Sequence, residues 1–354
     1  MYEKGATPAV ARQQFIRKLR DSSDNDLDFS AKRADRKFCP RHRDFKSLYT
    51  KYVQNELGGL DSDMFPKLVE ELNVYQNKNP DAKVKIQMHT DSTDLIIAIV
   101  TPLMKRVHEH HPQSKELVFV DSTGNCESHN LKIFLMCTHS TVTALPLGLV
   151  VVQNEQESTL KLAFGMLKDC LPPAAFFNQG TLGPEIILTD NCSEEIIALK
   201  YTWPESKLLL CLFHILQQVL RWLMLKSHGV CDTERTGVFR LFKRSVYAQT
   251  LEEFEERYDT LLADPSVECN DLATQYFEDL KLLQNKFALC YRSALPMRGN
   301  QTTNFVEAQF LVLKDVILHR TKEYNVVGLI NKLTDELDLH YKVRLYCLLI
   351  WGFF

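Results

Sequence analysis

Three acidic residues are distinguished by the segments in which they lie. Asp121 ends the apolar run ELVFVD, Asp190 ends the apolar run EIILTD, and Glu307 follows in TTNFVEAQF. An ionised carboxylate at the end of a buried strand is costly to desolvate, which suggests a cation as its partner. Oxygen ligands suit Mg²⁺, and three carboxylates around two such ions form a phosphoryl-transfer site. The set predicts a metal-dependent enzyme that acts on nucleic-acid phosphodiesters.

Each of these residues also has an ordinary explanation. A single Asp after a strand is usually a turn residue or a helix cap. The combination favours chemistry, because both aspartates follow strands and Glu307 opens a late helix. Glu323 and Glu336 lie further along the chain and are the rivals for the third acidic position.

The elements that must position the carboxylates follow from apolar periodicity. From ELVFVD onward, the patterns predict three strands, a helix, a strand, a helix, a strand and a helix. A meander followed by this alternation predicts a mixed sheet in which the first and fourth strands are parallel neighbours. That arrangement brings Asp121 and Asp190 together. The predicted fold class is α/β: a ribonuclease H-like mixed five-stranded sheet flanked by helices, with an all-α insertion and a small helical N-terminal region.

The segments before this series are predicted less directly. VKIQMH alternates apolar and polar residues and predicts a half-buried strand, whereas residues 93–112 are predicted as a helix kinked near Pro102. His108 and its neighbours His110 and His111 show no partner in the pattern, and we expect them on the surface.

The domain organisation is predicted from composition and from these patterns. The segments are a charged, flexible arm (1–45), a small helical region (46–79), the ribonuclease H-like core (80–228), a helical insertion (229–296), the final core helices with the third acidic residue (297–345) and an apolar tail (346–354).

Overall charge does not indicate a nucleic-acid partner, since the 354 residues carry a net charge of −3. One N-terminal run is strongly basic, and such a run could neutralise DNA phosphates or act as a nuclear address. It could equally be a solvated arm. Its DNA-binding candidates are Lys32, Arg33, Arg36, Lys37, Arg41 and Arg43.

The cellular setting is predicted from what the sequence lacks. No CxxC pair occurs among the ten cysteines, no apolar leader precedes a cleavage site, and no run reaches the length of a membrane span. We expect an intracellular, reducing location, the nucleus, and no membrane partner.

Several blocks resemble a known family, the transposase domain of Mutator-like elements. They are VFVDSTG, PLGLVVVQNEQEST, IILTDNCSEEI, WPESKLLLCLFHILQQV and TTNFVEAQF, and the resemblance runs from about residue 116 to 345. It implies a ribonuclease H-like fold with a helical insertion, DNA as the partner, and Asp121, Asp190 and Glu307 as catalytic metal ligands for two Mg²⁺ or Mn²⁺ ions. No organic cofactor is implied.

The resemblance maps a Cys-x-x-His motif onto Cys211 and His214, near the expected active site. Such a pair could form half of a zinc site, with Cys192 or Cys231 as further ligands. The simpler interpretation is a packed thiol beside a capping or hydrogen-bonded histidine, because structural zinc needs four ligands. Zinc is therefore not expected in this chain.

The leading functional prediction is a transposase-type domain that cleaves and transfers DNA strands with an Asp-Asp-Glu triad and divalent metal. The alternative is a domesticated, non-catalytic DNA-binding or regulatory protein, and a nuclease outside transposition shares the same site. A homo-oligomer is a further expectation, whereas the DNA sequence recognised cannot be read from the chain.

Overall fold

The computed structural model describes residues 2, 6–60, 64–90, 92–140, 144–321 and 324–351, with side chains as far as residue 346. The predicted apolar tail, residues 346–354, therefore lies almost wholly outside the described side chains. Glu323 also lies outside the described residues. Across these ranges the fold is mixed α/β, as predicted, with a single mixed sheet flanked by helices.

The sheet contains seven strands in the described part of the chain. They are β1 (Lys83–Gln87), β2 (Ile96–Val100), β3 (Leu117–Thr123), β4 (Lys132–His139), β5 (Ala144–Val152), β6 (Ile186–Thr189) and β7 (Lys207–Leu210). Their spatial order is β1-β2-β5-β4-β3-β6-β7. The pairs β3–β6 and β6–β7 are parallel and the other pairs are antiparallel. Strands β2 and β5 are buried along their whole length, which suits a sheet covered by helices on its faces.

The prediction of five strands from ELVFVD onward is correct in their order, but the sheet is larger. The helix predicted over residues 93–112 is wrong in its first half, where Ile96–Val100 forms β2 between β1 and β5. This run of Ile and Val favours a strand. Pro102 does not kink a helix; it begins one, with the Thr101 side chain capping the amide of Met104.

The helices cover the faces and ends of the sheet. They are α1 (Pro8–Asp21), α2 (Asp26–Ala34), α3 (His42–Glu56), α4 (Met64–Lys78), α5 (Pro102–His110), α6 (Glu157–Cys170), α7 (Ala175–Asn178), α8 (Ser193–Thr202), α9 (Leu212–Met224), α10 (Arg235–Val246), α11 (Leu251–Leu262), α12 (Pro265–Glu268), α13 (Asp271–Lys281), α14 (Gln284–Phe287), α15 (Asn304–Leu311), α16 (Val326–Asn331) and α17 (Leu337–Trp351). Two π-helical segments, Val312–Ile317 and Lys332–Glu336, extend α15 and join α16 to α17.

Helices α1 and α2 lie in the segment that the sequence predicted as a charged arm. Thr7 caps α1, Pro8 occupies its first turn, and Asn25 caps α2. Phe45 of α3 packs with Ala6 and Ala11 in a small separate cluster. This segment is therefore helical in the described residues, although few of its side chains are buried.

Two large hydrophobic cores organise the rest of the chain. One surrounds the sheet, and the other joins α9 to α10–α14 through residues such as Val219, Phe242 and Phe277. The range 229–296 is helical, as its periodicity predicts, and contributes no strand to the sheet. No helix in the described residues has the length and apolar character needed to cross a membrane.

Candidate active site

Strands β3 and β6 bring the first two acidic residues to neighbouring positions. These strands are parallel, and their register pairs Phe119 with Leu188. Asp121 and Asp190 each lie two residues beyond that pair, so the same register continued leads to both. Asp121 is within β3, which continues to Thr123, whereas Asp190 directly follows β6. The ends of two parallel strands therefore lead to two aspartates on one edge of the sheet.

Glu307 reaches the same edge from the first turn of α15. This helix packs on β3, where the rings of Phe305 and Phe119 have centroids 5.6 Å apart. The Glu307 amide donates a hydrogen bond of 3.1 Å to the Thr303 carbonyl. Its Oε1 atom is buried and accepts no hydrogen bond within the described residues. A buried carboxylate oxygen with an imidazole nitrogen at 3.3 Å and no well-formed hydrogen bond is suited to a cation ligand.

His214 completes the group that the structure brings together. Ligand atoms of Asp121, His214 and Glu307 all lie within 4.8 Å of one another. His214 Nε2 is 3.3 Å from Glu307 Oε1. Asp190 is outside this three-residue group, but it lines a shallow surface pocket together with His214. Two of the three predicted carboxylates therefore converge directly, and the third lies beside them.

The sequence prediction underestimated His214. The motif predicts a capping or hydrogen-bonded histidine near the active site, in preference to half of a zinc site, but that prediction does not include contact with Glu307. His214 lies on α9, which directly follows β7, and β7 is the next parallel strand after β6. A histidine at the start of a helix after the third parallel strand faces the same edge as Asp121 and Asp190. That position was the available signal.

The electrostatics of the group reflect burial and close charges. Burial raises the pKa of Asp121 to about 7, although the attraction of His214 opposes this rise. Burial also raises the pKa of Asp190, again against the attraction of His214. The hydrogen bond with Cys211 raises the pKa of His214 to about 9, and the neighbouring aspartates add to the rise. Carboxylates that resist ionisation without a cation are expected where a divalent ion binds.

Cys211 has a defined environment beside this group. Burial alone raises the pKa of its thiol, but hydrogen bonds with His214 and Thr303 outweigh burial and leave the pKa below its ordinary value. Cys192 does not join Cys211; its thiol lies beside Glu194. Among the described residues, one group of three or more potential metal ligands occurs, formed by Asp121, His214 and Glu307, and neither Cys192 nor Cys231 belongs to it.

One further acidic residue lies beneath the site. Glu195 in the first turn of α8 is almost fully buried, and the Thr189 hydroxyl donates a short hydrogen bond to it. Burial and then the charge of Asp190 raise its pKa well above the ordinary range. The burial of Glu195 depends on packing that no local pattern reveals.

The basic N-terminal residues do not contact the acidic group. Lys32 pairs with Asp28 at 2.6 Å, and Arg36 and Arg43 both approach Asp44. Arg33 and Lys37 lie near the rings of Phe29 and Phe38, and the Arg41 amide donates a hydrogen bond to the Asp44 carboxylate. The six residues lie on α2, on the turn after it and at the start of α3: Lys32, Arg33, Arg36, Lys37, Arg41 and Arg43.

Comparison with known proteins adds the class of this domain. Residues 117–218 match the family model described as MULE transposase domain. This part of the chain is therefore similar to the MULE transposase domain, as its motifs predicted. The match runs from β3 into α9 and includes Asp121, Asp190, Cys211 and His214, whereas Glu307 lies beyond it. No curated protein matches the chain.

The residues at this edge fit a divalent cation. The group contains two carboxylates and an imidazole within 4.8 Å, a buried carboxylate oxygen without a hydrogen bond, and a further aspartate alongside. Oxygen-rich sites suit Mg²⁺ and Mn²⁺, and an imidazole is compatible with the latter. A transposase domain with such a group is consistent with a metal requirement.

Proposed function

We propose that this protein is a divalent-metal-dependent enzyme that cleaves and joins DNA strands, with Asp121, Asp190 and Glu307 as its acidic triad. The metal is Mg²⁺ or Mn²⁺, and two ions serve the reaction. The observation that carries the proposal is the convergence of Asp121 and Glu307 within one group, with Asp190 directly after the neighbouring parallel strand.

The architecture supports a ribonuclease H-like assignment. The order β5-β4-β3-β6-β7, with β3, β6 and β7 parallel, is the arrangement that the βββαβαβα pattern predicts. Strands β2 and β1 extend this sheet beyond β5. The helices between β7 and α15 would then form the insertion that separates Asp190 from Glu307 in the chain.

Each residue of the site has a definable task in this proposal. Bound cations would lower the cost of attack on the phosphodiester by polarising it and activating the attacking oxygen. Asp121, Asp190 and Glu307 hold the cations. His214, against Glu307 and near both aspartates, orients these carboxylates and balances their charge when no metal is bound. Glu195 lies buried beneath Asp190, where burial raises its pKa well above the ordinary range and so disfavours a further negative charge at the site.

The DNA would bind along polar and cationic side chains near the acidic group. Gln217 and Arg221 line the pocket that contains Asp190 and His214. Lys314 lies on the helical face of Glu307, one turn beyond Leu311. Within the described residues, neither Arg221 nor Lys314 has an ion pair or side-chain hydrogen bond. Cationic side chains without a protein partner are available to bind DNA phosphates.

Other parts of the proposal follow from the reaction. The N-terminal basic residues add phosphate contacts away from the site, and the protein acts in the nucleus, where its DNA is. Strand transfer at two DNA ends favours a homo-oligomer. In the alternative proposal, a domesticated protein retains DNA binding and has lost cleavage.

The test is cleavage of supercoiled plasmid with Mg²⁺ or Mn²⁺, comparing wild type with Glu307→Gln and Glu336→Gln. Glu336 is the matched control, because it pairs with Lys332 away from the acidic group. We expect wild type and Glu336→Gln to nick the plasmid. Glu307→Gln should nick it more than about 100-fold more slowly, since a metal ligand is removed.

The outcomes separate the proposals. Plasmid cleavage that survives Glu307→Gln would transfer the third acidic position to another residue. Salt-dependent DNA binding by a wild type that does not cleave with either metal would favour the domesticated alternative. Loss of cleavage in both variants would point to a general effect on folding, which a melting curve would detect.

A further inference from the structure

The junction between β7 and α9 is joined to the segment that leads into α15. Cys211 Sγ accepts hydrogen bonds from the Thr303 amide at 3.3 Å and from the Thr303 hydroxyl at 3.4 Å. One residue further on, the Leu212 amide donates to the Gln301 carbonyl at 3.0 Å. Two consecutive residues at the start of α9 therefore bind the segment that leads into α15, at Gln301 and Thr303.

A buried arginine joins a third part of the chain to this junction. Arg292 is 2% exposed, and its guanidinium donates to Gln301 Oε1 at 3.0 Å and to the Lys286 carbonyl at 2.7 Å. It also donates a short hydrogen bond to the Leu210 carbonyl at the end of β7. The planar guanidinium can reach several acceptors at once, which a lysine ammonium does less well. Arg292 thus holds α14, β7 and the segment before α15 in one arrangement.

These contacts hold Thr303, whose carbonyl accepts a hydrogen bond from the Glu307 amide. Thr303 precedes α15, and its carbonyl accepts the amides of Val306 and Glu307 at 2.8 and 3.1 Å. Its amide and hydroxyl are already bound to Cys211. The first turn of α15 is therefore held to the start of α9, and His214 on α9 then lies 3.3 Å from Glu307.

We propose that Cys211 is a positioning residue for Glu307. Its sulfur binds Thr303, and Arg292 holds the neighbouring residue Gln301. Together they place Glu307 beside His214 and Asp121 after the helical segment α10–α14. The role of Glu307 as a metal ligand rests on the proposed function, whereas the hold on α15 does not. The Cys-x-x-His motif accordingly works as a link between two helices, with Cys211 holding the backbone and His214 contacting the carboxylate.

The test combines two measurements on the whole chain with Cys211→Ala, Cys211→Ser and the control Cys170→Ala. Cys170 is a buried cysteine at the end of α6, beside β1 at the opposite edge of the sheet. Hydrogen exchange of residues 301–311 reports the hold on α15 without any metal. Electron paramagnetic resonance of free Mn²⁺ gives the metal dissociation constant.

The expected results differ between the variants. Cys211→Ala exchanges residues 301–311 faster than wild type and binds Mn²⁺ about ten-fold more weakly, the usual effect of losing a residue that orients a ligand. Cys211→Ser lies between wild type and Cys211→Ala, because its hydroxyl accepts the same hydrogen bonds from a shorter side chain. Cys170→Ala leaves both measurements at wild-type values even if its melting temperature falls.

Each outcome decides the positioning role. Unchanged exchange over residues 301–311 in Cys211→Ala overturns it, and so does an equal loss of Mn²⁺ affinity in Cys170→Ala. Faster exchange with weaker Mn²⁺ binding, partly restored in Cys211→Ser, supports it. A wild type that binds Mn²⁺ but cleaves no DNA refutes the proposed function, and the same two measurements still decide whether Cys211 positions Glu307.

Discussion

The affinity of the acidic group for metal is expected to rise about ten-fold between pH 6 and pH 8, because one carboxylate must lose a proton first. Asp121 is 8% exposed, and burial raises its pKa to about 7. A cation competes with that proton. Protonation therefore weakens binding below pH 7 and has little effect above it.

The magnitude follows from the fraction of ionised Asp121. With a pKa of about 7, the apparent affinity is reduced roughly eleven-fold at pH 6 and only about 1.1-fold at pH 8. The ratio of these two factors is the expected ten-fold. The sign is fixed by the charge, since only the ionised carboxylate attracts a cation.

A different result is expected if His214 also binds the metal. Its pKa is about 9, so a ligand role would require the loss of a second proton over the same pH range. That loss would add a factor of roughly ninety between pH 6 and pH 8, for a total of roughly nine hundred. Carboxylates alone suit a hard cation, and we therefore expect the smaller value.

The assay is a Mn²⁺ titration followed by electron paramagnetic resonance at pH 6, 7 and 8, with wild type and His214→Gln. In the variant, the pH dependence should keep its slope while its midpoint moves to higher pH. The midpoint moves because the imidazolium that holds down the pKa of Asp121 is gone. A rise near nine-hundred-fold in wild type, lost in His214→Gln, would refute the carboxylate-only reasoning and make His214 a ligand.

Three further predictions concern charge, DNA binding and stability. Asp190→Asn should abolish cleavage and raise the melting temperature of the metal-free protein, because burial raises the pKa of this carboxyl and makes its ionised form unfavourable. An unchanged or lower melting temperature would argue against this unfavourable charge. Arg221→Ala and Lys314→Ala should each reduce the slope of log Kd for DNA against log salt by about 1, whereas Lys83→Ala on the far edge strand should not. Burial lowers the pKa of His108 to about 4, so the folded state holds this side chain neutral. The free energy of unfolding should be highest above pH 6.5 and fall as the pH falls toward 4. Urea unfolding should show a loss of about 2 kcal/mol in the free energy of unfolding at pH 5, and His108→Gln should lack this loss.

The sequence predicted the strand order well where strands and helices alternate. The run Ile96–Val100 was the exception, because apolar residues without interruption suit a buried strand and a buried helix equally. Its position between β1 and β5 is set by pairing partners that are distant in the chain. Helices α1 and α2 were missed for a different reason: their sequences are rich in charged residues and bury few side chains, so their composition suggested a flexible arm.

The candidate site was predictable in its strand-borne part. Asp121 and Asp190 could be paired from the sequence because parallel neighbours end at the same edge. The environment of His108 could not be predicted: the sequence placed it on the surface, yet it is fully buried and accepts a hydrogen bond from the Phe176 amide. Glu195 is similar, since its burial under the site depends on the packing of α8. Periodicity identifies apolar faces, but it does not identify polar side chains that are buried with a partner.

The arrangement of the site explains why its third carboxylate can follow so long a helical segment. Asp121 and Asp190 are positioned by the sheet itself, whose register allows little freedom. Glu307 is not carried by a strand, because the chain leaves the sheet at β7 and reaches α15 only after α14. Its position depends on the packing of α15 against β3 and on the contacts that Cys211 and Arg292 make across the junction. Misfolding of α10–α14 should consequently loosen the hold on Glu307 while leaving β3 and β6 intact, so we expect the complete acidic group to form only when α10–α14 have folded.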